Sequence, residues 1–304
     1  KPSGCTSHDV VARIRRVVAE KRVGHAGTLD PSATGVLIIG VGRATRLLQF
    51  IQHLPKTYIA TARFGVTTTT QDADGEVIAQ RPFEDSLGGL TAVLDDYRGE
   101  IKQIPPMVSA VKVGGEPLYR AARRGEEVPR PPRAVHVYDL IIDDLDAAAG
   151  TATFTVTCSS GTYVRTLVAD IGEAIGCGAH LIELRRTSIG SFTVSECTPL
   201  AVIEQAPQEH PLLSMAEAMR DFPNLTVSGA ELDDAIHGRP ITADLQPSRA
   251  GEIHVISAPR AGQRPAHEVG MSAGIPVAIL DTQGTLRAVY RKNVKGFVAA
   301  AVFE

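Results

Sequence analysis

Asp30 stands in the stretch Gly24-His-Ala-Gly-Thr-Leu-Asp-Pro-Ser-Ala-Thr-Gly35, where three glycines, a proline, two threonines and a histidine surround a single carboxylate. No helical or strand periodicity fits these residues. Glycine at this density admits positive φ or close backbone approach, and Pro31 biases Asp30 toward an extended conformation, so the carboxylate projects from a stiff loop. Alone, an Asp-Pro pair reads as an Asx turn in a solvated loop. With Tyr58, Tyr163 and Arg165 the reading changes. An arginine beside Asp30 would keep it ionised, as a nucleophile or as an ion-pair stabiliser of cationic sugar character, and Tyr58 could stack on a planar base or move a proton.

Other chemistries fail on their residues. The nine His are scattered, with no i, i+4 pair around a Glu, so no metal is expected. There is no Gly-x-Ser-x-Gly elbow and no Gly-Lys-Ser/Thr phosphate loop, which sets aside acyl transfer and nucleoside triphosphate chemistry. Gly40-Val-Gly42 lacks the third glycine of a dinucleotide fingerprint, and Asp72-x-Asp74-Gly75 lacks the spacing of a calcium loop, so both read as turns. A carboxylate enzyme without a cofactor is what remains.

The elements that must position these residues can be read along the chain. A length of 304 residues is about two domains of the usual ~150. Apolar runs such as Val36 to Ile39 are far short of the ~20 residues that span a bilayer, and no charged-then-apolar leader is seen, so a soluble, cytoplasmic protein is expected. Cys5, Cys158, Cys177 and Cys197 are dispersed, as free thiols would be. The net charge of −3 hides an asymmetry. Residues 1–50 carry eight Lys/Arg against three Asp/Glu and residues 102–133 seven against three, whereas 193–281 carry five against twelve. Residues 282–304 return to four against one. Basic segments of this kind form a local footprint for a polyanion even in an acidic protein, although solvated faces have the same composition.

Thr6-Ser-His-Asp9 caps a helix with Val10, Val11, Ile14, Val17 and Val18 on one stripe. A strand, Gly35 to Val41, and a short helix, Arg43 to His53, follow the Asp30 loop. Lys56 to Phe64 alternates as a strand with Tyr58, Ala60, Ala62 and Phe64 on one face, and Thr67 to Gly75 is a turn. A helix near Leu90 to Tyr97 precedes Gln103 to Ala110, whose prolines fit only an edge strand or irregular chain. Tyr119 to Arg133 is a basic, mobile element. Strands at 134–145 and 151–158, a helix with Val164, Leu167 and Ile171 buried, and a strand pair over 181–194 complete the first part. Residues 198–222 read as helix and linker. The tail, with β-like runs at Gly251 to Ile256, Ile275 to Leu280, Leu286 to Tyr290 and Phe297 to Phe303, has the pattern of a small β-barrel.

Five segments, Lys1-Pro-Ser-Gly-x-Thr-Ser-His-Asp-Val-Val, Arg22-Val-Gly-His-Ala-Gly-Thr-Leu-Asp-Pro-x-Ala-Thr-Gly35, Lys56-x-Tyr58, Thr68-x-Thr-x-Asp72 and Ser160-Gly-Thr-Tyr-Val-Arg165, resemble the motif series of the TruB family of tRNA pseudouridine synthases. The resemblance covers most of residues 1–195, and its Gly-His-x-Gly-x-Leu-Asp-Pro core is highly specific. It implies an α/β (α+β) fold: a pseudouridine-synthase core with a mixed, largely antiparallel sheet flanked by helices, over 1–222 with a basic insertion at about 102–133. A PUA-like, RNA-binding β-barrel would occupy 223–304, although the match is weaker there and the polar stretch Gln246 to Gly274 departs from the family.

The implied activity is isomerisation of the uridine at position 55 of the tRNA T arm, without a cofactor, after the base is flipped out. Asp30 matches the catalytic aspartate, Tyr58 the tyrosine that stacks on the base, and Arg165 the arginine that pairs with the aspartate. His25, Tyr163, Arg46 and Asp72 fall among the substrate-binding residues. The implied partner is the T stem-loop of tRNA, with no membrane, no protein partner and a monomeric enzyme. Two rivals stay open: a tRNA-binding factor without catalysis, and a glycoside or nucleoside hydrolase, which would usually need a second carboxylate.

Overall fold

The structure, a computed structural model, describes all residues except 85, 86, 110, 111, 127, 211, 242–273, 294, 295 and 304. The expected strand Gly251 to Ile256 and nearly all of the stretch Gln246 to Gly274 lie outside the described residues. Two compact units share the chain: residues 1–31, 36–54 and 189–304 form one, and residues 32–35 and 55–188 the other.

The second unit is built on a mixed sheet. Its strands run in the order Ala179–Ile189, Lys56–Phe64, Thr151–Cys158, Arg133–Asp146 and Gly99–Gln103. Thr34–Gly35 pairs in parallel with Ala179–Ile189, through Arg185 and Arg186, while the pairs from Lys56–Phe64 to Gly99–Gln103 are antiparallel. The alternation read in Lys56–Phe64 holds, with Tyr58, Ala60, Ala62 and Phe64 buried. Helices Leu87–Asp96 and Val164–Ile175 pack against each other and on the sheet, burying Leu90, Leu94, Leu167 and Ile171. Such a side chain contributes about 1.5–3 kcal/mol when fully buried. Threonines face across neighbouring strands, Thr57 with Thr157 at 3.1 Å and Thr61 with Thr153 at 3.3 Å.

In the first unit the helix Ser7–Val18 begins with the expected capping box, Thr6 Oγ1 accepting from the Asp9 N–H at 3.1 Å and Asp9 accepting from the Thr6 N–H at 2.8 Å. Val10, Val11 and Ile14 pack with Val23 and Leu200, and Arg13 pairs with Glu204. A larger core joins Phe50, Ile51 and Leu54 to Phe192, Met219, Phe222, Val289 and Phe303. The tail forms a four-stranded sheet ordered Asn224–Thr226, Pro276–Leu280, Leu286–Asn293 and Gly296–Val302, its first pair parallel.

Several expectations are corrected. Gly35 to Val41 is not one strand: Thr34–Gly35 and Ile39–Val41 are separate pieces that pair with different partners. The expected helix from Arg43 is a 3-10 turn over Gly42–Leu47 followed by one α-turn, Leu48–Ile51. The basic insertion at about 102–133 contains a small hairpin, Lys112–Val113 with Glu116–Pro117, and a helix, Leu118–Arg123. In the tail, a helix at Gly229–Ile236 was not foreseen, because its stripe of Leu232, Ala235 and Ile236 is thin among acidic residues. Among the described residues, no helix is long and apolar enough to cross a membrane.

Candidate active site

Asp30 is partly buried in a loop whose neighbours on both sides are tied to the N-terminal segment. Ser7, 1% exposed, gives its hydroxyl to the Leu29 carbonyl at 3.2 Å and takes the Leu29 N–H at 2.9 Å. The Pro31 carbonyl accepts from the Gly4 N–H and from Lys1 Nζ, each at 3.0 Å. One short segment therefore clamps residues 29 and 31, and the aspartate between them stands on fixed main chain. The loop turns at Gly27, φ +93°, a conformation that favours glycine.

His25 ends the short strand Val23–His25, opposite Ile39, and is partly buried. Arg46 is exposed and engaged elsewhere in the same unit. Its Nη1 donates to the Val302 carbonyl at 2.6 Å, and its guanidinium lies 5.3 Å from the centroid of the Phe303 ring. That contact fastens the 3-10 turn to the last strand.

The other expected residues belong to the second unit. Tyr58 is 7% exposed on the inward face of its strand. Arg165, 3% exposed, lies in the first turn of Val164–Ile175. Its Nη1 stands 3.2 Å from Asp72 Oδ2 and donates to the Thr70 carbonyl at 3.0 Å, while Nη2 donates to the Val108 carbonyl at 3.0 Å. Burying a guanidinium is costly unless charge and carbonyl oxygens surround it, and this set supplies both. Asp72 is itself fixed, taking the Thr70 hydroxyl and the Asp74 N–H, the latter at 3.2 Å. Gln71, φ +64°, holds the turn to the helix by accepting from Thr166 Oγ1 at 2.8 Å. Tyr163 precedes the helix as its N-cap and is partly buried.

Three residues were named in the sequence without a role, or not singled out at all. Lys56 is 5% exposed, and burial with the Arg186 charge nearby pushes its ammonium down to about 8. Its signal was legible: position 56 shares the inward parity of Tyr58 and Ala60. Burial pushes the neighbouring Cys158 thiol up to about 11, so it is an inert packing group. Gln103, 2% exposed, bonds the main chain of Tyr163, and only a glutamine beside two prolines hinted at it. The four cysteines are free, as expected, and among the described residues no group of His, Cys, Asp and Glu could hold a metal ion.

Residues 15–164 match the TruB family pseudouridylate synthase N-terminal domain, and residues 165–220 the tRNA pseudouridylate synthase B C-terminal domain. The tRNA pseudouridine synthase B of Syntrophotalea carbinolica is 47% identical over 249 residues, covering 81% of this chain and 81% of that protein. The chain belongs to the TruB family of pseudouridylate synthases. The tRNA pseudouridine synthase B of Thermobifida fusca is 45% identical over 250 residues, 80% of this chain and 84% of the relative. A chain from the crystal structure of a Cbf5-Nop10-Gar1 complex is 25% identical, with a TM-score of 0.69, over 100% of this chain and 82% of that one. The mixed sheet with its helices is thus the pseudouridine synthase fold, and this TruB-family chain is an enzyme of the isomerase class.

Proposed function

We propose that this enzyme converts uridine to pseudouridine at position 55 in the T arm of tRNA, without a cofactor. The single observation that carries the reading is Arg165, a buried arginine held by Asp72 and two carbonyls at the start of a helix, in a chain 47% identical over 249 residues to a tRNA pseudouridine synthase B. A fixed, desolvated positive group serves a reaction in which negative charge is used and released.

The roles follow the family resemblance. The uridine leaves its stack, which costs a few kcal/mol offset by contacts to the extruded nucleotide and backbone. Asp30 attacks the sugar C1′, or otherwise promotes cleavage of the C1′–N1 bond, and uracil leaves with the bonding pair. The base turns, C5 forms the new bond to C1′ as Asp30 departs, the proton on C5 is lost and N1 takes one up from solvent, with Tyr58 as the group that stacks on the base or takes the C5 proton. Arg165 is the counter-charge of Asp30. Asp72 acts through Arg165 by holding it, and Tyr163 and His25 shape the pocket and the flipped loop. Arg46, whose guanidinium is engaged with Val302 and Phe303, contributes to RNA binding through the placement of its 3-10 turn.

The exposed Lys102, Arg120 and Arg133 of the basic insertion supply phosphate contacts, whereas Arg124 is spent on Glu116 and Glu126. Residues 1–222 would form the catalytic domain and 223–304 a PUA-like barrel touching the RNA, in a monomeric cytoplasmic enzyme. Tritium release from C5-labelled uridine in a T-arm stem-loop tests the reading. Release with pseudouridine as product is expected; free uracil would mark a hydrolase, and stoichiometric binding without release would mark a binding factor.

A further inference from the structure

Gln103 closes the edge strand Gly99–Gln103, where its Cα partner is Arg133. Its carboxamide turns to the residue at which chain becomes helix. Oε1 accepts from the Tyr163 N–H at 3.0 Å, and Nε2 donates to the Tyr163 carbonyl at 3.2 Å. This is the two-bond exchange of a hydrogen-bonded pair in an antiparallel ladder, made here by a side chain. Tyr163 is extended, φ −99° and ψ 106°, and has no side-chain cap bond of its own. The glutamine thus fixes the main chain of the residue from which Val164–Ile175 starts.

Five residues on, the Val108 carbonyl takes Nη2 of Arg165. The segment 103–108 thus grips the main chain of Tyr163 at one end and the side chain of Arg165 at the other. A helix advances about 100° per residue, so a shift at its entry residue swings the arginine two positions later. Gln103 is buried, far enough from water that its amide has to be bonded where it stands.

We propose that Gln103 is a positioning residue for the isomerisation: its amide fixes Tyr163 and, through the helix start, the reactive placement of Arg165. The inference rests on the function proposed above. It places no contact between Gln103 and RNA, so its effect falls on the rate of the chemical step.

Single-turnover conversion of a T-arm stem-loop by the full chain tests this, with RNA affinity measured alongside and the rate expressed per RNA-binding-competent enzyme. Gln103→Met keeps the shape and removes both bonds. It should lower the rate about 10–100-fold, the loss that a displacement near 1 Å brings, with the dissociation constant within about threefold of wild type. Gln103→Asn keeps the amide but shortens its reach by one methylene; it should show the same split and serves if the methionine variant does not fold. A rate within threefold of wild type despite a lowered unfolding temperature would make the residue merely structural and overturn the proposal, as would equal losses of rate and affinity. Wild type that binds the stem-loop and forms no pseudouridine would instead overturn the function on which the inference rests.

Discussion

Arg165 Nη1 lies 3.2 Å from Asp72 Oδ2, and the two side chains are 4% and 12% exposed. A pair this buried is fixed by its surroundings more than by attraction in water, since Thr70 and Val108 carbonyls complete the guanidinium's shell. The acidic turn Thr67 to Gly75, which lacks calcium spacing, therefore serves the arginine.

Asp72→Asn removes the charge and keeps the shape of the turn. Stability should fall by about 3 kcal/mol, the lower end for breaking a buried pair, because two carbonyls still face Arg165. Turnover should fall at least ~10-fold, in the range that misplacing a catalytic group brings. Thermal unfolding and single-turnover rates check both; an unchanged rate would detach Asp72 from the arginine's role.

Ser7→Ala tests the clamp on the Asp30 loop. Both bonds to Leu29 are lost in a buried place, which costs about 1–3 kcal/mol. The unfolding midpoint should drop by about 2–4 °C for each kcal/mol, and the rate should fall while RNA affinity holds. A lower midpoint with full activity would mean that the loop keeps its place without Ser7.

Gly35→Ala meets a harder obstacle. At φ +109°, a Cβ would sit 2.1 Å from the Arg186 carbonyl oxygen across the parallel pairing. The expected result is loss of soluble, cooperatively folding protein, or a destabilisation above about 3 kcal/mol from strain and steric overlap together. A stable variant would show that the Thr34–Gly35 pairing is dispensable.

Lys56 makes a prediction in pH. Its folded value is about 8, below the ordinary 10.5, so the unfolded chain binds more protons between those values and stability rises with pH across that window. The gain, on the order of 3 kcal/mol at most, is complete above 10.5 and is lost as pH falls through 8. Denaturant unfolding at pH 7.5 and pH 10, compared with Lys56→Met, should show the gain only in wild type. Parallel curves would mean that the ammonium is not desolvated.

Local rules made part of this legible. The Thr6 cap and the inward parity of Tyr58 follow from neighbours in sequence, and both stand in the structure. Arg165 could be placed in a first helical turn, but its bonds to Asp72, Thr70 and Val108 join residues far apart in the chain, which no periodicity encodes. Gln103 stayed hidden for the same reason. The helix Gly229–Ile236 was missed because tertiary packing, against Tyr290 and its neighbours, makes up for a weak stripe.

Carbodiimide labelling of one uridine in a T-arm stem-loop, after incubation with wild type or with Asp30→Asn, is the most direct measurement. Wild type should leave the RNA mass unchanged after incubation and then yield one pseudouridine that the carbodiimide labels. Asp30→Asn should yield none while binding the RNA within about tenfold, because phosphate contacts dominate affinity. Pseudouridine formed by Asp30→Asn at the wild-type rate would contradict the catalytic role given to that carboxylate.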